Sequence, residues 1–194
     1  MDNGCKIKVR IDVNKKAREA TIDFTGTSPQ YEGNYNAPSA VCLAAVLYVF
    51  RCLVGDEIPL NEGCLKPLKV IIPPKSIISP EYPAAVIAGN TEVSQGVTDA
   101  LFGALGVLAS SQGTVNNFVY GNDQYQNYET ICGGTGAGPN HPGTSAVHSH
   151  MTNTLNTPIE SVEEHYPLRV WRYALRRGSG GAGRHRGGDG IERE

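Results

Sequence analysis

A charge of one sign is what this sequence most clearly lacks: 17 Lys and Arg stand against 19 Asp and Glu, a formal net charge of −2. Such a balance gives no electrostatic pull toward DNA, RNA or an anionic membrane surface. Basic residues do gather near the end (Arg172, Arg176, Arg177, Arg184, Arg186), but they sit among glycines with Asp189, Glu192 and Glu194 close behind. A long hydrophobic run is missing too. The longest apolar stretch, Ala40 to Val54, is about fifteen residues and carries Arg51, too short to span a bilayer. Paired cysteines are the third absence. Five are present (Cys5, Cys42, Cys52, Cys64, Cys132), an odd number with no C-x-x-C spacing, and two lie in an apolar helical segment. They read as reduced thiols rather than a disulfide framework or a zinc site. Met1-Asp2-Asn3-Gly4 shows no basic-then-apolar secretion pattern. A cytoplasmic protein is expected.

What is present suffices for a core: 40% of the 194 residues are hydrophobic, which suits a single lobe over 1–194. Lys6–Val13 alternates as a strand and pairs with Ala20–Phe24 across Asn14-Lys15-Lys16-Ala17-Arg18, a β-hairpin. A turn-rich stretch from Thr25 to Pro38 follows. Ser39 is placed to cap a helix running to Val54 and closed by Gly55. Val41, Leu43, Val46, Leu47, Val49, Phe50 and Leu53 cover nearly its whole circumference, which predicts a buried core helix. Leu68–Ile72 reads as a short strand stopped by Pro73-Pro74. A second helix is expected from Thr91 to Ser110, with Val93, Val97, Leu101, Leu105 and Leu108 as its apolar stripe. From Gln112 onward short extended pieces alternate with glycine clusters. The sum is an α+β fold: two main helices packed with several mostly antiparallel strands and glycine-rich loops. Both ends look cut. The first strand starts almost at Met1, and Gly190-Ile191-Glu192-Arg193-Glu194 reads as a strand broken off, so a truncated piece of a longer subunit is expected.

Four segments could carry chemistry. The densest runs from His148 to Glu160. On an extended chain His148 and His150, two residues apart, face the same way and could act as acid or base or share a metal ion. Asn153, Thr154 and Asn156 supply amide and hydroxyl groups for a polar ligand, and the competing reading is a hydrogen-bonded loop network. In Cys132-Gly133-Gly134-Thr135-Gly136-Ala137-Gly138-Pro139 the glycines allow close backbone approach to a ligand, or simply a tight turn between strands. No Lys-Ser/Thr pair follows them, so this is not a phosphate-binding loop of the Walker type. Ser179 to Gly190 sets Arg184 and Arg186 among glycines, as an anion site or as turns with solvated charges. Asp23 before Thr25-Gly26-Thr27, with Asn34 and Asn36 downstream, is either a carboxylate at a loop mouth or a turn-stabilising Asp. Cys132 is the one thiol placed to be tested as a nucleophile.

These segments together resemble the hydantoinase B/oxoprolinase family. Asp23-Phe24-Thr25-Gly26-Thr27 with Gly33-Asn34 and Asn36, Tyr128-Glu129-Thr130 with Gly133-Gly134 and Gly136-Ala137, His148 to Glu160 with Glu164 and Tyr166-Pro167, and Arg176 to Gly190 match its motifs in order, over nearly the whole chain. The resemblance implies ATP-driven opening of a small cyclic amide, 5-oxoproline or a hydantoin. Related subunits carboxylate acetone or aromatic ketones. A third reading is a structural module that docks partner subunits. An unstrained lactam is resonance-stabilised, so phosphorylation of its amide oxygen would make the ring carbon electrophilic. ATP with Mg or Mn would be bound mainly outside this chain, by an A-type ATPase subunit or domain as partner, in an oligomer without nucleic acid or membrane. The candidate catalytic residues are His148 and His150. The candidate substrate contacts are Asn153, Thr154, Asn156, Asn34, Asn36, Gly133 and Gly134. The family's upstream region rich in Asp, His and Gly has no counterpart here. Asn140-His141-Pro142-Gly143 stands where many members carry Asp-Gly, so the chain by itself is expected to be catalytically incomplete.

Overall fold

A computed structural model describes all 194 residues. The chain divides into two compact units, Met1–Val107 and Leu108–Glu194, where its length alone predicts one lobe. The local cause is legible: the second long helix stops at Gly106, and the residues after it close into hairpins of their own.

In the first unit β1 (Arg10–Asn14) and β2 (Glu19–Asp23) form the expected antiparallel hairpin, with Ile11 opposite Ile22. Regular pairing starts at Arg10, not Lys6. The amides of Lys6 and Lys8 go instead to the hydroxyls of Ser28 and Thr27. β3 (Leu68–Ile71) joins β2 in parallel, the exception in a mostly antiparallel chain. Helix α1 (Ser39–Cys52) begins one residue earlier than the sequence suggests. Pro38 holds the capping position, and no side chain caps the helix. Its buried stripe is Cys42, Ala45, Val46 and Val49, while Leu43, Leu47 and Phe50 are half-buried. The all-round apolar pattern therefore becomes a one-faced helix. Helix α2 (Glu92–Leu105) buries Val93, Val97 and Leu101 as expected. It ends five residues before Ser110, because Gly106 turns left-handed at φ +68° and caps it. The helices pack together, with the rings of Tyr48 and Phe102 edge to face at 6.3 Å. Ile22, Phe24, Ile77 and Ile78 complete this core. Each such side chain contributes about 1.5–3 kcal/mol by leaving water.

The second unit is built differently. β4 (Asn116–Gly121) and β5 (Gln126–Ile131) form a hairpin whose turn is tied by Asn122 Oδ1, which accepts from the amides of Gln124 and Tyr125. β6 (Gly133–Gly134) pairs irregularly with β7 (Ser145–Val147). A short helix, α3 (Ile159–His165), follows Pro158 and was not legible in the pattern. β8 (Tyr173–Leu175) pairs with β9 (Ile191–Arg193), the strand that the last residues suggested. The buried apolar side chains here are Val115, Cys132 and Val162, against buried Asn127, Glu129, Thr130 and Ser149. Hydrogen bonds and backbone packing, more than apolar contact, hold this unit. The architecture is α+β. No helix is long and apolar enough to cross a membrane.

Candidate functional site

The stretch from His148 to Pro158 is irregular rather than extended. His150 has φ +53°, and the Thr152 amide donates to the Ser149 carbonyl at 3.2 Å. The alternation that would set both imidazoles on one face is therefore broken by a turn at the second one. Beyond the turn the chain runs along β5. Thr130 donates its amide to the Leu155 carbonyl, and its hydroxyl makes a short bond with that of Thr154.

His148 is half-buried. Its Nδ1 lies away from solvent without a hydrogen-bond partner. Burial holds this imidazole below its ordinary pKa, and the neighbouring Asn156 amide offsets part of the shift. At neutral pH His148 is thus the uncharged form, able to accept a proton. Asn156 accepts a bond from the Tyr173 hydroxyl at 3.3 Å. Asn153 is exposed.

Beneath Asn156 and Thr157 lies a buried ion pair that the sequence reading overlooked. Arg193 Nη1 of β9 stands 2.9 Å from Glu129 Oε2 of β5, with the two side chains 4% and 0% exposed. The same carboxylate oxygen accepts the Thr157 amide at 3.1 Å, and the same guanidinium nitrogen donates to the Thr157 carbonyl at 2.9 Å. The Arg193 guanidinium also sits 5.2 Å over the Tyr173 ring. A carboxylate between Tyr128 and Thr130 in a strand was the available signal; its cation, 64 residues on, was not inferable from spacing.

The two glycine clusters meet. Segments 133–139 and 176–191, with 109–112, wall a cavity of about 690 Å³ that contains Arg176, Arg184 and His185 and no carboxylate. Gly133 and Gly134 lie on this wall. Much of the glycine content is structural. A Cβ on Gly134 would strike the Gly188 backbone, one on Gly143 the Thr135 carbonyl, and one on Gly188 the Thr144 carbonyl. Arg186 is not an anion ligand here, since its Nη2 donates to the carbonyls of Gly178 and Gly180. Asp189 completes that loop by accepting the amides of Gly178 and Gly180, which hold its carboxyl below the usual range. Cys132 is buried, and burial pushes its thiol up in pKa, the wrong direction for a nucleophile.

In the first unit Asn34 is exposed. The substrate contact expected of Asn36 does not fit its surroundings. It is 0% exposed, its Oδ1 accepts from the Tyr31 amide, and its Nδ2 donates to the carbonyls of Tyr31, Gly33 and Ala85. Asp23 likewise serves its own turn by accepting the Thr25 amide at 2.8 Å. No three or more His, Cys, Asp or Glu side chains gather to hold a metal ion, so the residues present do not fit the Mg or Mn that the resemblance implies.

Comparison with known proteins places this geometry. The family model Hydantoinase B/oxoprolinase matches residues 1–194. The 5-oxoprolinase 1 of Arabidopsis thaliana is 50% identical over 194 residues, covering all of this chain and 15% of that protein. The chain thus spans about 15% of the length of such a relative. The solved structure of the ATP-dependent caprolactamase from Pseudomonas jessenii superposes with a TM-score of 0.77 at 25% identity, covering 96% of this chain and 34% of that one. A nucleotide-free acetone carboxylase structure shares the fold, with a TM-score of 0.71 at 20% identity, over 97% of this chain and 27% of that one.

Proposed function

Because the chain belongs to the hydantoinase B/oxoprolinase family, we propose that it forms part of a cytoplasmic, ATP-dependent enzyme that opens a small cyclic amide, with 5-oxoproline the first substrate to test. The observation that carries this reading is the 50% identity to a 5-oxoprolinase across every residue of the chain. ATP, held with its metal by an A-type ATPase partner in an oligomer, would supply the drive that a resonance-stabilised ring demands.

The part proposed for this chain is binding and proton handling. His148, uncharged at neutral pH, accepts the proton of the attacking water. With the ring oxygen phosphorylated at the expense of ATP, the water oxygen bonds to the ring carbon, the C–N bond breaks as the ring nitrogen takes the proton back from His148, and a second water releases phosphate from the resulting acyl phosphate to leave the carboxylate. Asn153, Thr154 and Asn156 hold the amide. The separate cavity walled by Gly133 and Gly134, which none of residues 148–156 lines, carries Arg176 and Arg184 to attract a carboxylate without competing acids. His150 stands beside His148 in sequence and is the second candidate for the proton.

The test uses the intact protein that carries this chain, with its ATPase partner. 5-Oxoproline and a hydantoin are supplied with ATP, alongside acetone with ATP and labelled bicarbonate. Release of glutamate from 5-oxoproline is expected, and His148→Ala should abolish it. Carbon fixation without ring opening would replace this reading with a ketone carboxylase. Turnover unchanged in His148→Ala would remove the proton-handling role.

A further inference from the structure

We infer that Glu129 and Arg193 are positioning residues: their buried ion pair grips the Thr157 backbone at both its amide and its carbonyl and so sets the placement of Asn156 and His148. The catalytic importance of that placement rests on the reading above; the placement itself does not.

The argument starts from energetics. A carboxylate and a guanidinium that are 0% and 4% exposed have given up water almost completely. Such burial is costly and is a weak source of net stability compared with apolar packing. The pair is also incompletely satisfied, since Glu129 Oε1 and Arg193 Nη2 are buried without partners. A pair kept only to join β5 to β9 would gain more from all its hydrogen bonds facing those strands. Instead the bonded atoms, Oε2 and Nη1, both turn to the backbone of one residue outside the strands, Thr157. Charged partners make this grip roughly twice as strong as neutral ones.

What the grip holds is the end of the irregular segment. Asn156 is the next residue back, and its Oδ1 is fixed by the hydroxyl of Tyr173, the ring over which Arg193 lies. Asn156 in turn neighbours His148. The ionisable groups gathered here are Glu129, Arg193, Tyr120, Tyr173, Cys132 and His148. Both tyrosines are raised in pKa by burial first. The path from ion pair to imidazole runs from Arg193 and Glu129 to Thr157, from Tyr173 to Asn156, and from Asn156 to its neighbour His148.

The test follows the imidazole directly and needs no turnover. In the intact protein, ethoxycarbonylation of each histidine by diethyl pyrocarbonate is read by peptide mass spectrometry across pH. In the native protein His148 should react slowly, with a midpoint below 6.5, the ordinary imidazole value. Glu129→Gln preserves shape but sets an amide donor against the Thr157 amide or Arg193. Arg193→Met removes at once both contacts that Nη1 makes, to the Glu129 carboxylate and to the Thr157 carbonyl. In either variant His148 should label roughly tenfold faster, as the loss of a charge-assisted bond implies, and its midpoint should rise toward 6.5. His185, on the cavity wall, should be unchanged. Equal acceleration at His185 and His148, or an unaltered His148, would show that the pair merely holds strands and would overturn the inference. If both variants fail to fold, Tyr173→Phe on the more exposed ring removes only the bond to Asn156, and it should shift His148 in the same direction. No shift there overturns the inference equally. A shifted His148 with unchanged ring opening would leave the positioning intact and sink the catalytic reading instead.

Discussion

Gly134 and Gly188 approach so closely that a Cβ on Gly134 would stand 2.8 Å from the Gly188 Cα and strike its carbonyl. The contact is reinforced on both sides: Gly188 donates its amide to Thr135 at 2.9 Å, and Gly143 donates to Arg186 at 2.8 Å. Three backbone segments are laced without side chains between them. The glycine wall of the cavity is the outer surface of that lacing.

Gly134→Ala should therefore destabilise the second unit by about 2–4 kcal/mol, since the neighbours it meets are backbone and cannot swing aside. Gly181→Ala is the matched control on the same cavity. Nothing lies within 4 Å of its added Cβ, and its φ is not left-handed. That change should stay within about 0.5 kcal/mol. Denaturant titration of the two variants would show the contrast, and equal stabilities would contradict the lacing.

Asn36→Ala should cost the first unit about 2–4 kcal/mol, because it strands a buried amide and three carbonyls. Asn36→Asp should not rescue it. A carboxylate accepts but cannot donate, and three of the four bonds need a donor. Thermal unfolding that ranks Asp level with wild type would show that the carbonyls find other partners.

Acid should weaken the second unit through Asp189. The amides of Gly180 and Gly178 depress its carboxyl in the folded state below the ordinary 3.8. A depressed folded value means that the contribution is complete above the unfolded pKa and is lost as pH falls through the folded one. Wild type should then exceed Asp189→Asn in stability at neutral pH, and the gap should close below pH 3.8. A gap independent of pH, measured by denaturation across that range, would leave the carboxylate charge without a role.

Native alkylation with iodoacetamide should reach Cys52 first, the exposed thiol. Cys42 is buried with a pKa pushed up to about 12, and Cys132 is buried with a raised one, so both should wait for unfolding. Peptide mapping that finds Cys132 modified as fast as Cys52 would reopen its candidacy as a nucleophile.

Legibility followed the range of the interactions. The hairpin of β1 and β2, the Val93, Val97 and Leu101 stripe of α2 and the last strand all rest on local periodicity and were readable. Gly106 is the left-handed cap of α2, but the apolar stripe continues past it to Leu108, so the periodicity predicts a helix five residues too long. α3 is only seven residues long, too short for a periodic signal. His148 to Glu160 stood out by its polar groups, yet the left-handed turn at His150 could not be seen in an alternation pattern.

By itself the sequence determined the two main helices, the first hairpin and the order of motifs that marks the family, because these depend on neighbours a few residues apart and on residue identities. Tertiary structure alone decided that Glu129 would meet Arg193, that two distant glycine clusters would share a cavity, and that Asn36 would be spent on backbone. The reason is physical. A buried charge or a bare backbone surface must find its complement wherever the fold brings one, and that complement can lie on any later strand.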